Sequence, residues 1–321
     1  MTSIQKLKEY RDHPALSQSE LKAILSGKSY TKKPSLTMLI GSYVDTMITC
    51  PHLKDDLYWI ADVSRPTDKI VELCESFYNW IEIESDPYNY GSAVINSDIR
   101  LYQQNVEQWI ETVDYYSNRP KTRVDKFIKE AADWWTVLVQ KGDRQIITTV
   151  EELETELILL ELEKDVRWDW ISKGEFQKDF YWEEIIEVDD EQQVISCKGL
   201  GDICFDDDYI DIKYTTCPNL NEWMKVCTNL NYPFQMAFYK SGLGFKKGYW
   251  LVVHKDWHEL VEVTDLMYQI GKWGYDKKEV IRIGKVEMDV WKHVHGYIDG
   301  LNLVNGEASL TNFNQLYINN L

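Results

Sequence analysis

The apolar residues of this chain change their period at Gly174, and few architectures accommodate both halves of that pattern. Before Gly174 they recur at helical spacing: Val71, Leu73, Cys74, Phe77 and Trp80, then Tyr102, Val106, Trp109 and Ile110, then Phe127, Ala131, Trp134, Trp135 and Leu138. After it, residues 176–186, 194–205, 209–214 and 248–253 are rich in β-branched and aromatic side chains with turn residues between them, the composition of strands in one mixed sheet. Between the third and fourth of these, Asn231-Tyr232-Pro233 opens a helix, because proline suits the first helical turn, and Gly242 closes it. The order implies an α/β fold, a mixed central sheet flanked by helices, with a further C-terminal helix over about 286–301.

Two helices are expected near the N-terminus. Ser17-Gln-Ser-Glu20 is a capping box ahead of Leu21, Ile24 and Leu25, with Gly27 as the stop. A second helix begins near Ser35 and ends before Pro51, and Gly41 inside it marks close packing against another element. We therefore expect N-terminal helices over 1–60 packing on a core at 166–321, with a helical insertion over 61–165. The acid-rich segment 149–165 is a solvated helix face rather than a ligand site.

The charge balance, 35 Lys and Arg against 53 Asp and Glu, gives −18 and argues against non-specific binding of a polyanion over the whole surface. Contact with nucleic acid would have to be local, with phosphate charge offset inside a groove by cations. The six cysteines have no Cys-x-x-Cys pair and no zinc-type spacing, so reduced buried thiols are expected rather than a cluster. No apolar stretch of about 18 residues is present, which implies no membrane span and a cytoplasmic setting, the host cytoplasm if the gene is phage-borne.

The chemistry-bearing stretch is Asp202, followed by Ile-Cys-Phe-Asp-Asp-Asp-Tyr-Ile, then Asp211-Ile-Lys213. With Asp206 and Asp207 as a two-residue turn, Phe205 pairs with Asp208 and Asp202 falls opposite Asp211. Side chains so opposed lie roughly 4.5 to 5.5 Å apart at Cβ, an unfavourable arrangement for like charges unless a cation sits between them. Magnesium suits such a pair. Strand alternation puts Lys213 on the face of Asp211 while Ile210 and Ile212 turn to the core. Two carboxylates, a divalent cation and an amine are what phosphodiester hydrolysis needs. On the following helix, Gln235 and Tyr239 lie four residues apart and share a face towards the strand ends.

In order and spacing, Asp202, Asp211-x-Lys213 and Gln235-x-x-x-Tyr239 resemble the RecB-type branch of the PD-(D/E)XK nuclease superfamily. Residues 15–22, Ala-Leu-Ser-Gln-Ser-Glu-Leu-Lys, and 39–45, Leu-Ile-Gly-Ser-Tyr-Val-Asp, are similar to the opening segments of the phage and prophage exodeoxyribonuclease VIII (RecE-like) family. The resemblance implies a restriction-endonuclease-like core and an Mg²⁺- or Mn²⁺-dependent exodeoxyribonuclease acting on linear duplex DNA in phage-type recombination. It further implies a homo-oligomer and a single-strand annealing protein as partner. Its metal would be held by Asp202, Asp211 and the backbone carbonyl of Ile212, with Lys213 catalytic and Gln235 and Tyr239 on the DNA. Two positions depart from the family. Asp45 stands where a histidine is usual and could still ligate the cation, and Gln177 stands where a glutamate is usual; Glu175, Asp179 or Glu183 could compensate for the lost acid, strand parity favouring Glu175 and Asp179, which share a face with Gln177. An endonuclease or repair nuclease on the same core, or a DNA-binding or assembly protein without catalysis, are the alternatives.

Overall fold

The computed structural model describes residues 3–27, 34–85, 95–113, 115, 120–188, 191–283 and 286–306. The chain forms two compact units, one built from Met1–Pro51 with Leu157–Leu321 and one from His52–Glu156.

The first unit opens with α1 (Ser3–Asp12), α2 (Gln18–Ser26) and α3 (Leu36–Thr49). The capping box at α2 is complete: Glu20 N–H donates to Ser17 Oγ and Ser17 N–H to the Glu20 carboxylate. Gly27 ends α2 in the left-handed conformation that favours glycine. Helix α3 starts at Ser35, whose side chain accepts the Met38 N–H.

The second unit contains α4 (Lys54–Leu57), β1 (Tyr58–Ala61), α5 (Asp68–Ser85), α6 (Gln103–Trp109), α7 (Pro120–Gln140) and β2 (Gln145–Thr148). Its core is aromatic, with Phe77, Trp109, Phe127 and Trp135 almost fully buried. The expected helices are present, and with them a short parallel pairing of β1 with β2 that the helical spacing did not announce. Arg65 secures it: the guanidinium grips the Glu151 carboxylate through two nitrogens at 2.7 and 2.8 Å and donates to the Ile146 carbonyl at 2.8 Å.

Helix α8 (Thr149–Glu163) carries the chain back to the first unit, which continues with α9 (Trp168–Ile171) and the strands β3 (Glu175–Val188), β4 (Glu191–Cys204) and β5 (Asp208–Tyr214). Next come α10 (Leu220–Asn229), α11 (Tyr232–Leu243), β6 (Lys247–His254) and β7 (Trp257–Glu262). The five strands form one sheet in the order β3-β4-β5-β6-β7, antiparallel except for the parallel pair β5 and β6. A parallel neighbour needs a crossover, which α10 and α11 supply. The fold is thus α/β with a mixed central sheet, as the order of segments implies.

Both faces of the sheet are covered. Val44 and Ile48 of α3 pack with Ile203, Ile210, Ile212, Leu251 and Val253 on one side, while Phe234, Met236 and Phe238 of α11 pack with Cys204, Tyr209, Trp250 and Val252 on the other. Four further elements complete the unit: α12 (Asp265–Trp273), then β8 (Tyr275–Ile283) paired antiparallel with β9 (Val286–Val294), then α13 (Tyr297–Gly306). The helix expected from residue 286 therefore starts at Tyr297, after a strand. Val286, Met288 and Val290 fall two apart in the sequence, a strand period that a helical reading of this stretch overlooks. Likewise α11 ends at the left-handed Gly244, two residues beyond Gly242.

Candidate active site

Strand β5 supplies the centre of the site. Period-two alternation places Tyr209, Asp211 and Lys213 on the α11 face and Ile210 and Ile212 on the α3 face. The paired positions of β4 and β5 are Ile203 with Ile210 and Cys204 with Tyr209, and Phe205 N–H donates to the Asp208 carbonyl at 2.9 Å, so the register is the one that sets Asp202 across from Asp211. Pairing stops at Ile203–Ile210. Beyond it the Ile212 N–H is taken by the Asp202 side chain, which accepts it at 2.8 Å. A carboxylate thus replaces a ladder carbonyl and is fixed in place by a charge-assisted bond.

The neighbouring ladder is interrupted at the same level. Phe176 pairs with Ile203 and Lys178 with Gly201, but Gln177, at the position facing Asp202, has φ +49° and leaves the ladder. A non-glycine residue in the left-handed region stores backbone strain and persists only where its surroundings hold it. Here the Gln177 amide nitrogen donates to the Asp45 carboxylate at 3.2 and 3.4 Å and to Thr49 Oγ1 at 3.1 Å. Asp45 reaches the site from α3. Gly41, one turn earlier on the same helix, lies against Tyr214 of β5, where a Cβ would make ordinary van der Waals contact.

Asp211 is fully buried. Its Oδ1 accepts from Gln235 Nε2 at 2.8 Å and from the Tyr209 hydroxyl at 3.4 Å. Its Oδ2 lies 2.5 Å from the Lys213 ammonium, a close ion pair that helps raise the pKa of the lysine. Lys213 also donates to Gln235 Oε1 at 3.3 Å and to the Ile212 carbonyl at 3.4 Å. Gln235, from the first turns of α11, therefore clamps both partners of the ion pair: it donates to one and accepts from the other.

The electrostatics are dominated by burial of like charges. Burial first, then the Asp211 charge, raises the Asp45 carboxyl to about 7, against the pull of Lys213 and the Gln177 hydrogen bond. Asp202 is held well above the ordinary carboxylate range by burial and by the charges of Asp45 and Asp211. Burial works against the Lys213 ammonium, but Asp211 and Asp202 outweigh it and its pKa is raised. Three acids and one contacting amine leave an excess of negative charge, which is why burial and mutual repulsion raise both Asp45 and Asp202.

A divalent cation would relieve that excess, and the residues fit one. The donors are all oxygen, from Asp45, Asp202, Asp211 and the Ile212 carbonyl, which is the set hard cations prefer. The Lys213 ammonium answers Asp211, and a bound ion would balance the charge of Asp45 and Asp202 beside it.

Other expected residues are placed differently. Tyr239 is in the core, only 7% exposed, against Phe180, Tyr209 and Phe238, and burial raises its phenol well above the ordinary value. Its ring supports Tyr209 rather than facing a groove. Glu175 is exposed and pairs with Lys178 at 2.7 Å, a surface contact that contributes little. The same interruption of β3 at Gln177 that brings its amide to Asp45 breaks the parity on which a shared face for residues 175 and 177 was expected.

One residue enters unannounced. Lys22, at the end of the 15–22 segment, donates from Nζ to the Asn231 carbonyl at 3.2 Å, and burial together with the nearby Lys213 charge lowers its pKa to about 8. Its helix position gave no cue, because a lysine on an amphipathic helix is ordinarily solvated. Tyr209 could have been found by period-two counting from Asp211.

No protein-family model matches the chain, and no curated protein matches it. Among solved structures, a "putative exonuclease" of Eubacterium rectale is similar at 14% identity and TM-score 0.41, over 84% of this chain and 80% of that one. The protein SSO0001 is similar at 14% identity and TM-score 0.25, over 53% of this chain and 81% of its own. Among the described residues no helix is long and apolar enough to cross a membrane.

Proposed function

We propose that this chain is a divalent-metal-dependent deoxyribonuclease of the PD-(D/E)XK type. The observation that carries the reading is the fully buried Asp211, paired with Lys213 while Asp45 and Asp202 crowd the same charge. A purely structural site would not gather three acids around one amine, since a buried charge excess is costly unless a ligand balances it.

Asp45, Asp202, Asp211 and the Ile212 carbonyl would hold Mg²⁺ or Mn²⁺. When bound, the cation lowers the pKa of water and polarises the phosphoryl oxygen. Lys213, fixed by Asp211 and Gln235, orients the attacking water and offsets charge developing on the phosphate. Gln235 keeps Asp211 and Lys213 in register, and Lys22 adds positive charge beside them. Linear duplex DNA is the favoured substrate, resected from its ends in recombination beside a single-strand annealing protein and within a homo-oligomer, by family resemblance. A second reading, a DNA-binding or assembly protein without cleavage, is favoured by one observation: the neutral Gln177 stands at Asp45 where an acid would strengthen metal binding.

The two are separated by incubating linear and closed circular duplex of one sequence with Mg²⁺, Mn²⁺ or chelator. The exonuclease reading expects linear DNA to be lost, circles to persist, and Asp211→Asn or chelator to stop the reaction. Survival of linear DNA under metal-binding conditions refutes the enzyme, and circles nicked as fast as ends are lost refute exonucleolytic action.

A further inference from the structure

Away from the acidic site, the end of the β8–β9 hairpin meets the first turn of α13 in a cluster of two histidines and two aspartates. His293 lies near the end of β9, His295 follows it by two residues, Asp299 is in the first turn of α13, and Asp276 faces His293 across the hairpin. His293 Nε2 and His295 Nδ1 converge on one oxygen, Asp299 Oδ2, at 3.1 and 3.0 Å. The Gly296 N–H reaches that same oxygen at 3.2 Å. The other nitrogen of His293, Nδ1, is 2.9 Å from Asp276 Oδ1.

With protons alone, His293 carries one on each nitrogen to bond both carboxylates, and His295 carries another on Nδ1. A cation among the three inward atoms offers another arrangement. His293 then keeps one proton, on Nδ1 towards Asp276, and presents the Nε2 lone pair. That is the carboxylate–histidine–metal relation by which outer partners fix the tautomer and orientation of a ligating imidazole.

We propose that His293 Nε2, His295 Nδ1 and Asp299 Oδ2 form a transition-metal site, with Asp276 as its orienting partner. The three atoms lie within 4.8 Å of one another. Ligands about 2.0 to 2.2 Å from a tetrahedral zinc ion are separated by about 3.3 to 3.6 Å, so the two histidine contacts on Asp299 need an expansion of only a few tenths of an ångström to admit one. Two imidazoles and one carboxylate select a zinc-class ion over magnesium, which prefers oxygen alone. Three protein ligands on half-exposed side chains leave a fourth position for water.

The ion would join β9 to α13 and, through a backbone bond, touch α11: Asn231 Nδ2 donates to the His295 carbonyl at 3.0 Å, while the Asn231 carbonyl accepts from Lys22. It would act as a staple for the hairpin, and it does not depend on the nuclease reading.

Cobalt(II) reports on such a site directly, because tetrahedral Co²⁺ with nitrogen ligands absorbs strongly in the visible while six-coordinate Co²⁺ on carboxylates does so weakly. Chelator-treated full-length protein is titrated with CoCl₂. One equivalent should give tetrahedral bands that Zn²⁺ abolishes and a large excess of Mg²⁺ does not. The Asp211→Asn variant should keep the bands, His295→Ala should lose them, and Asp276→Asn should weaken Co²⁺ binding about tenfold or more. Absence of tetrahedral bands from the unsubstituted protein overturns the proposal, as does their displacement by Mg²⁺ or their loss on Asp211→Asn. The third outcome counts only where the Asp211→Asn protein keeps the circular dichroism of the unsubstituted chain, so misfolding of that variant cannot sink the idea.

Discussion

Replacing Asp45 by asparagine is expected to stabilise the metal-free protein while removing the metal-dependent cleavage we propose. The folded-state carboxyl sits at about 7 against an ordinary 3.8. At about 1.4 kcal/mol per pH unit, that distance sets a ceiling of about 4 kcal/mol on the penalty for the ionised form. Asp45 is only part-buried and shares its charge interactions with Asp211 and Lys213, so we take about 2 kcal/mol as the expected gain. The sign follows from proton uptake. Between about pH 4 and pH 7 the folded state holds a proton that the unfolded state has lost, so stability falls as pH rises through that window. Below it both states are protonated and the substitution changes nothing; above it the gain is complete. Asparagine keeps an oxygen to accept the Gln177 amide, and the backbone bond from Thr49 to the Asp45 carbonyl is untouched. Urea unfolding in chelator at pH 4, 5, 6, 7 and 8 is the assay. A variant that is equally stable at every pH, or less stable at pH 8, would refute the electrostatic account of the site.

Three further outcomes test the surrounding structure. Lys213→Met should abolish cleavage of linear duplex and lower metal-free stability by about 3 kcal/mol, because the buried Asp211 loses its contacting cation; added Mg²⁺ should recover part of that loss in a melting experiment. Gln177→Glu places a charge against Asp45 and should tighten Mn²⁺ binding about tenfold by calorimetry while destabilising the metal-free form; unchanged affinity would mean residue 177 does not border the ion. Gly271→Ala sets a Cβ 2.0 Å from the Pro233 carbonyl oxygen, so α12 and α11 must part, and a loss of about 1 to 3 kcal/mol in chemical unfolding should accompany weaker activity through displaced Gln235.

The sequence by itself determined the classes of element and the central register. Period-two runs after Gly174 became β3 to β6, the capping box became the start of α2, and counting back from an Asp-Asp turn gave the Asp202–Asp211 relation, because each of these depends on residues close in the chain. Only the tertiary structure decided what surrounds that pair. That Gln177 leaves its ladder at φ +49° to hold Asp45, that Gln235 bridges Asp211 to Lys213 while Tyr239 is spent on packing, and that Lys22 comes to lie beside Lys213 are all contacts between segments remote in sequence. The meeting of His293 with Asp299 belongs to the same class, whereas the strand at 286–294 was legible in its period-two spacing. Local pattern fixes which way a side chain points along its own helix or strand; burial, and the desolvation that shifts these carboxyls, exist only once distant elements close over them.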